Sequence, residues 1–234
     1  MAKLPEKSSE TDVADFLNKV AATASTKSAG ESGRLIFAMD ATASREPTWD
    51  RACHIQGEMF SETAALGGLQ VQLVYYRGFG ECQASRWAAN AKELLRFMTS
   101  VRCLGGQTQI RKVLNHAIRE TARRKVDAVV FVGDAMEEDI DRLCHLAGEL
   151  GVLGVPVFLF HEGGDPVVRR AFEQIARLSG GAYCPFDSAS AQQLRDLLSA
   201  VAVYAAGGRQ ALLDYEGRQG GGRLRLTQQL DRKK

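Results

Sequence analysis

Asp40, Thr42 and Ser44 recur at alternate positions in the stretch Asp40-Ala41-Thr42-Ala43-Ser44. One carboxylate and two hydroxyls are hard oxygen donors, the kind that Mg²⁺ and Ca²⁺ take. A hard cation takes about six oxygens, more than one pentapeptide supplies, so other loops must complete such a site. Two segments carry suitable groups. Gly105-Gly106-Gln107-Thr108 places a hydroxyl in a glycine-rich loop, and Gly133-Asp134 places a second carboxylate.

These groups can meet only if the right elements hold them. Asp40 follows the apolar run Leu35-Ile36-Phe37-Ala38-Met39, which reads as a buried strand. From residue 34 the chain alternates strand and helix. Strands are expected at Arg34–Met39, Leu69–Tyr76, Glu81–Arg86, Val126–Val132, Val155–Phe160 and Ala182–Phe186. Helices are expected from Pro47 to about Ala65, Ala88–Met98, Thr108–Arg124, Glu138–Leu150, Pro166–Leu178 and Ala191–Ala205. Repeated β-α-β order requires a mostly parallel sheet with helices on both faces. Glu81–Arg86 is expected to pair back on the second strand as an edge. If Val126–Val132 lies parallel beside the first strand, Asp40 and Asp134 emerge about 4.8 Å apart, within reach of one ion. In open α/β sheets that edge is where ligands bind.

The flanks differ from this core. Residues 1–33 form an N-terminal segment in which Val13, Phe16, Leu17, Val20 and Ala24 make one apolar stripe, followed by a polar linker. That stripe lies either on the domain itself or on a partner. After Gly207-Gly208 the pattern decays into a basic, glycine-rich tail, 207–234, with seven Lys or Arg against three Asp or Glu. The chain as a whole is nearly neutral, 30 basic against 28 acidic residues, so no nucleic-acid affinity is expected. The N-terminus lacks the apolar core of a secretory signal, and no apolar run approaches the roughly 20 residues a bilayer needs. A cytosolic protein without membrane insertion is expected. Five cysteines without CxxC spacing indicate neither a zinc site nor a disulfide framework, and core packing is their expected role.

The order DxTxS after the first strand, GGxT in a middle loop, and Asp after a later apolar strand resembles the von Willebrand factor A (vWA) domain. Integrin inserted domains share that family's metal-ion-dependent adhesion site (MIDAS). The resemblance covers about residues 34–206. It implies a three-layer α-β-α fold around a mostly parallel sheet of about six strands with one antiparallel edge strand. It also implies roles. Thr42 and Ser44 coordinate the ion directly, Thr108 does so directly or through water, and Asp40 and Asp134 act through water and hydrogen bonds. The open position takes an Asp or Glu of a partner protein. Two carboxylates acting mainly through water leave the ion Lewis acidity for that anion. The implied cation is Mg²⁺, with Mn²⁺ or Ca²⁺ as alternatives. Intracellular bacterial members often work beside AAA+ ATPases, which suggests an ATPase-linked assembly by analogy.

Thr42 stands where serine is commoner, and Ala135 where glycine often follows the third-loop aspartate. Glu137, Glu138 and Asp139 read as the acidic first turn of a helix or as outer groups of the site. Arg45 and Glu46 follow the first motif directly, shaping partner choice or occupying the site themselves. Each candidate ligand also has a plain alternative: Asp40 as a turn residue, and Ser44, Thr108 and Asp134 as helix caps. Two competing functions remain. A phosphohydrolase of the haloacid dehalogenase type would need a second aspartate where Thr42 stands, and no enzyme is expected. A scaffold with a structural or vestigial metal site would bind through its N-terminal helix or its tail.

Overall fold

A computed structural model describes residues 12, 15–16, 18–20, 32–64, 68–186 and 191–218. Six strands form one sheet: β1 (Gly33–Asp40), β2 (Leu69–Arg77), β3 (Glu81–Ala88), β4 (Ala128–Gly133), β5 (Val157–Glu162) and β6 (Tyr183–Phe186). Their order across the sheet is β3-β2-β1-β4-β5-β6. Only β3 runs antiparallel, pairing with β2 at the edge. The helices are α1 (Glu46–Ile55), α2 (Gly57–Thr63), α3 (Ala91–Thr99), α4 (Ile110–Arg123), α5 (Ile140–Val152), α6 (Pro166–Ser179) and α7 (Ala191–Arg218).

Strand periodicity divides the core in two. On β1, Leu35, Phe37 and Met39 join the cluster packed by α1, α2, α3 and α7. Ile36 and Ala38 join the opposite cluster, packed by α4, α5 and α6. Successive side chains of a strand point to opposite faces, so a strand covered on both sides is apolar throughout. All eight residues of β1 are buried accordingly. The result is the expected three-layer α-β-α architecture. β3 extends to Ala88, longer than the expected edge strand, and carries a bulge in its pairing between Gln72 and Val74.

Three details depart from the sequence reading. The segment after β1 does not enter an α-helix at once: a short 3₁₀ turn over Ala43–Arg45 precedes α1, and a break near Gln56 separates α1 from α2. The last helix breaks at Gly208 (φ 71°), where the Gly-Gly pair reads as a stop, and a second helical segment then runs to Arg218 with Ala211 and Leu212 buried in the core. The first part of the segment read as tail therefore packs on the domain. Residues 219–234 lie outside the described residues.

The N-terminal stripe packs on this domain. Phe16 and Val20 are fully buried, and the Phe16 ring meets Phe158 and Phe160 edge-on at centroid distances of 5.9 and 5.3 Å. Val13, Leu17 and Ala24 lie outside the described residues. Cys184 is buried, while Cys53, Cys82 and Cys103 pack partly against the two core clusters. Burial pushes each of those three thiols up to about 11, which keeps them protonated and inert near neutral pH. Among the described residues, no helix is long and apolar enough to cross a membrane.

Candidate metal centre

β1 and β4 are parallel neighbours, with Met39 opposite Val132. Asp40 therefore ends β1 beside Gly133, and Asp134 leaves the sheet one residue later. A Cβ added to Gly133 would lie 3.9 Å from the Cβ of Asp40, a measure of how closely the two strand ends approach. The expected juxtaposition of the two carboxylates is present.

The first loop folds back on Asp40. Its Oδ1 accepts a hydrogen bond from the Thr42 amide at 2.7 Å. Thr42 Oγ1 and Ser44 Oγ lie 3.4 Å apart, and Ser44 Oγ donates to Asp134 Oδ2 at 3.3 Å. Asp40, Thr42, Ser44 and Asp134 thus form one connected chain, Asp40 joined through the Thr42 amide and the other three through side-chain oxygens. Oxygens on adjacent corners of an octahedron with bonds of ~2.1 Å sit about 3 Å apart, so the spacing of the Thr42, Ser44 and Asp134 oxygens fits a small hard cation. Among the described residues, no group of three His, Cys, Asp or Glu side chains is arranged to hold a metal.

The capping alternatives fail on observed bonds. The 3₁₀ turn and α1 start at Thr42 and Arg45, neither of which makes a side-chain cap, and the Ser44 hydroxyl turns to Asp134 instead. α5 is capped by Asp139, whose Oδ1 accepts from Asp141 N and Arg142 N, which leaves Asp134 five residues short of that cap. α4 starts at Gln109 without a side-chain cap. Thr108 precedes it, and its Oγ1 accepts from the Glu137 amide at 3.0 Å.

Thr108 is held near the cluster without bonding to it. Glu137 Oε2 accepts from the Thr108 amide at 3.0 Å, so the two residues pair reciprocally across loops 29 positions apart. Glu138 accepts from the amides of Ile110 and Arg111 at the start of α4. Within the acidic run, Asp139 serves the start of its own helix, whereas Glu137 braces the Thr108 loop and Glu138 caps a neighbouring helix end. No hydrogen bond among the described residues joins Thr108 to Asp40, Thr42, Ser44 or Asp134. Its loop is nonetheless tied to theirs, since the Leu104 amide donates to Ala41 O at 3.0 Å.

The β2–β3 turn supports the same loop from the other side. The Gln107 amide donates to Gly78 O at 3.2 Å. A Cβ on Gly106 would fall 2.2 Å from that oxygen, so only glycine allows the two backbones to touch here. Gly78 and Gly80 both have positive φ, and Phe79 between them is 86% exposed at the sheet edge where the Asp40 and Asp134 loops emerge.

Burial shapes the charges. Asp40 is 1% exposed, and desolvation raises its pKa, assisted by the nearby Asp134 and opposed by the Thr42 hydrogen bonds and by Arg45. Tyr76, buried beside it on β2, is raised first by desolvation and then by the Asp40 charge. A buried carboxylate beside a second one calls for a counter-charge.

Arg45 supplies part of that charge, in a way the sequence left open. It is 3% exposed. Its Nη1 lies 3.6 Å from Asp134 Oδ2, and its Nη2 pairs with Glu162 at the end of β5. Thr48 Oγ1 donates to the same Glu162 oxygen at 2.5 Å. Of the two roles considered for Arg45, occupation of the site is the one its position fits. Glu162 and Thr48 were missed. The available signal was that β5 ends in a carboxylate at the same sheet edge as Asp40 and Asp134.

No family model matches the sequence, and no curated protein matches it. The fold does have solved counterparts. The SpRpn10 VWA domain is 15% identical, with a TM-score of 0.56 over 71% of this chain and 94% of that one. The vWF domain of the type V pili tip protein Mfa5 from Porphyromonas gingivalis is 10% identical, with a TM-score of 0.61 over 76% and 97%. This chain has the vWA fold. A third counterpart, proximal thread matrix protein 1 from the mussel byssus, was solved with a zinc-occupied MIDAS motif. It is 15% identical, with a TM-score of 0.56, and the match covers 74% of this chain but only 46% of that one. In the present vWA fold, the Asp40 cluster lies at the sheet edge where the strand order places a ligand.

Proposed function

We propose that this vWA fold is a metal-dependent protein-binding module. Asp40, Thr42, Ser44, Thr108 and Asp134 would hold one divalent cation, Mg²⁺ by preference and Mn²⁺ or Ca²⁺ as alternatives. A bound cation supplies Lewis acidity toward an incoming carboxylate. The chain's own residues do the rest. Thr42 and Ser44 present neutral oxygens, Asp40 and Asp134 balance the charge, and the Glu137–Thr108 pair fixes the third loop. The partner is a protein that presents an Asp or Glu, and an ATPase-linked assembly is one such setting.

The observation that carries this reading is the connected cluster Asp40–Thr42–Ser44–Asp134, in which Ser44 reaches 90 residues along the chain to a second carboxylate instead of capping its own helix. Binding, not catalysis, fits the groups present. Thr42 occupies the position where a phosphohydrolase would need its acid/base carboxylate, and a hydroxyl does not transfer protons near neutral pH. The edge also offers an anchor, because the exposed ring of Phe79 is the type of side chain on which protein interfaces centre.

The test is an affinity capture with the full chain and with Asp40→Ala, each in Mg²⁺ and in chelator. Capture by the wild type in Mg²⁺ alone, lost in Asp40→Ala with the fold retained, is the expected result. Capture that survives both chelator and the substitution overturns the reading.

A further inference from the structure

Among the described residues, Arg45 is the cationic side chain that forms an ion pair with a candidate ligand. Asp134 Oδ2 receives two neighbours at once, the Ser44 hydroxyl at 3.3 Å and the Arg45 guanidinium at 3.6 Å. The Arg45 contact to Asp134 is longer than a normal hydrogen bond, whereas its contact to Glu162 is a close ion pair. Glu162 is itself anchored by Thr48 on α1, the helix that begins directly after Arg45. The guanidinium is therefore shared between Glu162 and Asp134, and Asp134 is a candidate metal ligand.

Resting on the proposed metal-binding reading, we propose that Arg45 is a built-in competitor for the divalent cation and that Glu162 controls the competition. Arg45 is here a positioning residue, not a ligand. A guanidinium beside Asp134 neutralises the carboxylate that the cation needs, and two cations a few ångströms apart in a partly buried site repel strongly. Glu162 draws the guanidinium toward β5 and so frees Asp134. The pair sets how readily the site loads, and with it the cation concentration at which partner binding switches on.

The prediction has opposite signs for two variants, which a purely structural role does not give. Glu162→Gln removes the carboxylate that restrains Arg45 and leaves the guanidinium to Asp134. Mg²⁺ and Mn²⁺ should then bind about tenfold more weakly. The double variant Arg45→Met with Glu162→Gln removes the competitor without leaving an unpaired buried carboxylate at position 162. Both metals should then bind about tenfold more tightly than to the wild type. Titration calorimetry with MgCl₂ or MnCl₂ on the full chain reads the affinity, electron paramagnetic resonance of Mn²⁺ counts the bound ion, and circular dichroism confirms the fold. Shifts in the same direction, or both within twofold of the wild type, overturn the proposal while leaving the metal site standing. A wild type with no saturable metal binding, indistinguishable from Asp40→Ala, overturns the metal site and this inference with it.

Discussion

Two buried arginines sit at opposite ends of β1, and their surroundings differ in kind. Arg34, at the start of the strand, is enclosed by partners. Its guanidinium lies 3.9 Å over the Trp87 ring, donates to the carbonyls of Arg124 and Lys125, and reaches Glu120 at 3.4 Å. Glu120 is held in turn by Trp87 Nε1 at 3.2 Å and Arg123 at 2.8 Å. Arg45, just past the end of the same strand, meets two carboxylates, one closely and one at 3.6 Å. The first arginine closes a network and ties β1, β3 and α4 together. The second leaves a carboxylate shared between two claims. Buried polar groups that are fully satisfied rigidify a fold, whereas a shared one is where a ligand can change the balance.

Breaking the first region should cost the most. Arg34→Met leaves the Glu120 carboxylate partly stripped at a buried position and removes a cation–π contact. Breaking a buried pair from one side costs about 3 kcal/mol. Urea unfolding should show that loss, with Mg²⁺ affinity unchanged. A loss below about 1 kcal/mol would mean that Arg123 alone satisfies Glu120 and that the two arginines differ less than their geometry suggests.

The metal edge should respond in binding first. Phe79→Ser removes an 86% exposed ring from a turn held by Gly78 and Gly80. Loss of an interface anchor weakens association by about 1–2 kcal/mol, roughly tenfold. Partner capture in Mg²⁺ should fall by that factor while stability and metal affinity stay at wild-type values. Equal capture would remove the β2–β3 turn from the interface and confine recognition to the metal loops.

Stability should move the other way at Asp40. Burial raises its folded-state pKa above the ordinary 3.8, so the ionised form is a burden that appears as pH rises through the folded value. Asp40→Asn keeps an acceptor for the Thr42 amide and removes the charge. Without metal near pH 7, the variant should be more stable by about 1 kcal/mol, as active-site relief often is, and should bind no Mg²⁺. A variant less stable than the wild type would show that Arg45 already compensates the Asp40 charge.

Much of this architecture is legible in the chain because it rests on period and order. The unbroken apolar run from Leu35 to Met39 marks a strand buried on both faces, and strand-helix alternation places Asp40 and Asp134 at one edge. What stays hidden depends on side chains meeting across long separations. Arg45 and Glu162 are 117 positions apart, and their pairing follows only once β5 is known to end in the same region of the edge. Glu137 and Glu138 look like the first turn of their own helix because acidic residues favour any helix start. Only the packed structure shows that they serve Thr108 and α4. The Gly207-Gly208 break is legible because glycine takes the positive φ of a helix stop, whereas the helical segment beyond it is not, since its place in the core rests on the tertiary burial of Ala211 and Leu212.

The smallest expected effect lies on the structural side and is read through pH. His116 on α4 sits one turn before Glu120, and its Nε2 lies 2.8 Å from Gln72 Oε1. The Gln72 amide nitrogen donates to Ser85 O, so the oxygen faces the histidine and Nε2 carries the proton. Burial lowers the His116 pKa below its ordinary 6.5, with Glu120 opposing and Arg119 and Arg123 adding to the shift. The unfolded chain then takes up a proton near pH 6.5 that the folded chain refuses until lower pH. Stability is complete above 6.5 and is lost as pH falls toward the lowered folded value. His116→Gln removes this proton uptake while leaving an amide to face Gln72. Between pH 7 and 5 the variant should lose less stability than the wild type in urea unfolding, and the residual loss belongs partly to His161, which burial also lowers. Parallel pH profiles would show that His116 titrates alike in both states, and that the network around Arg34 stops at Glu120.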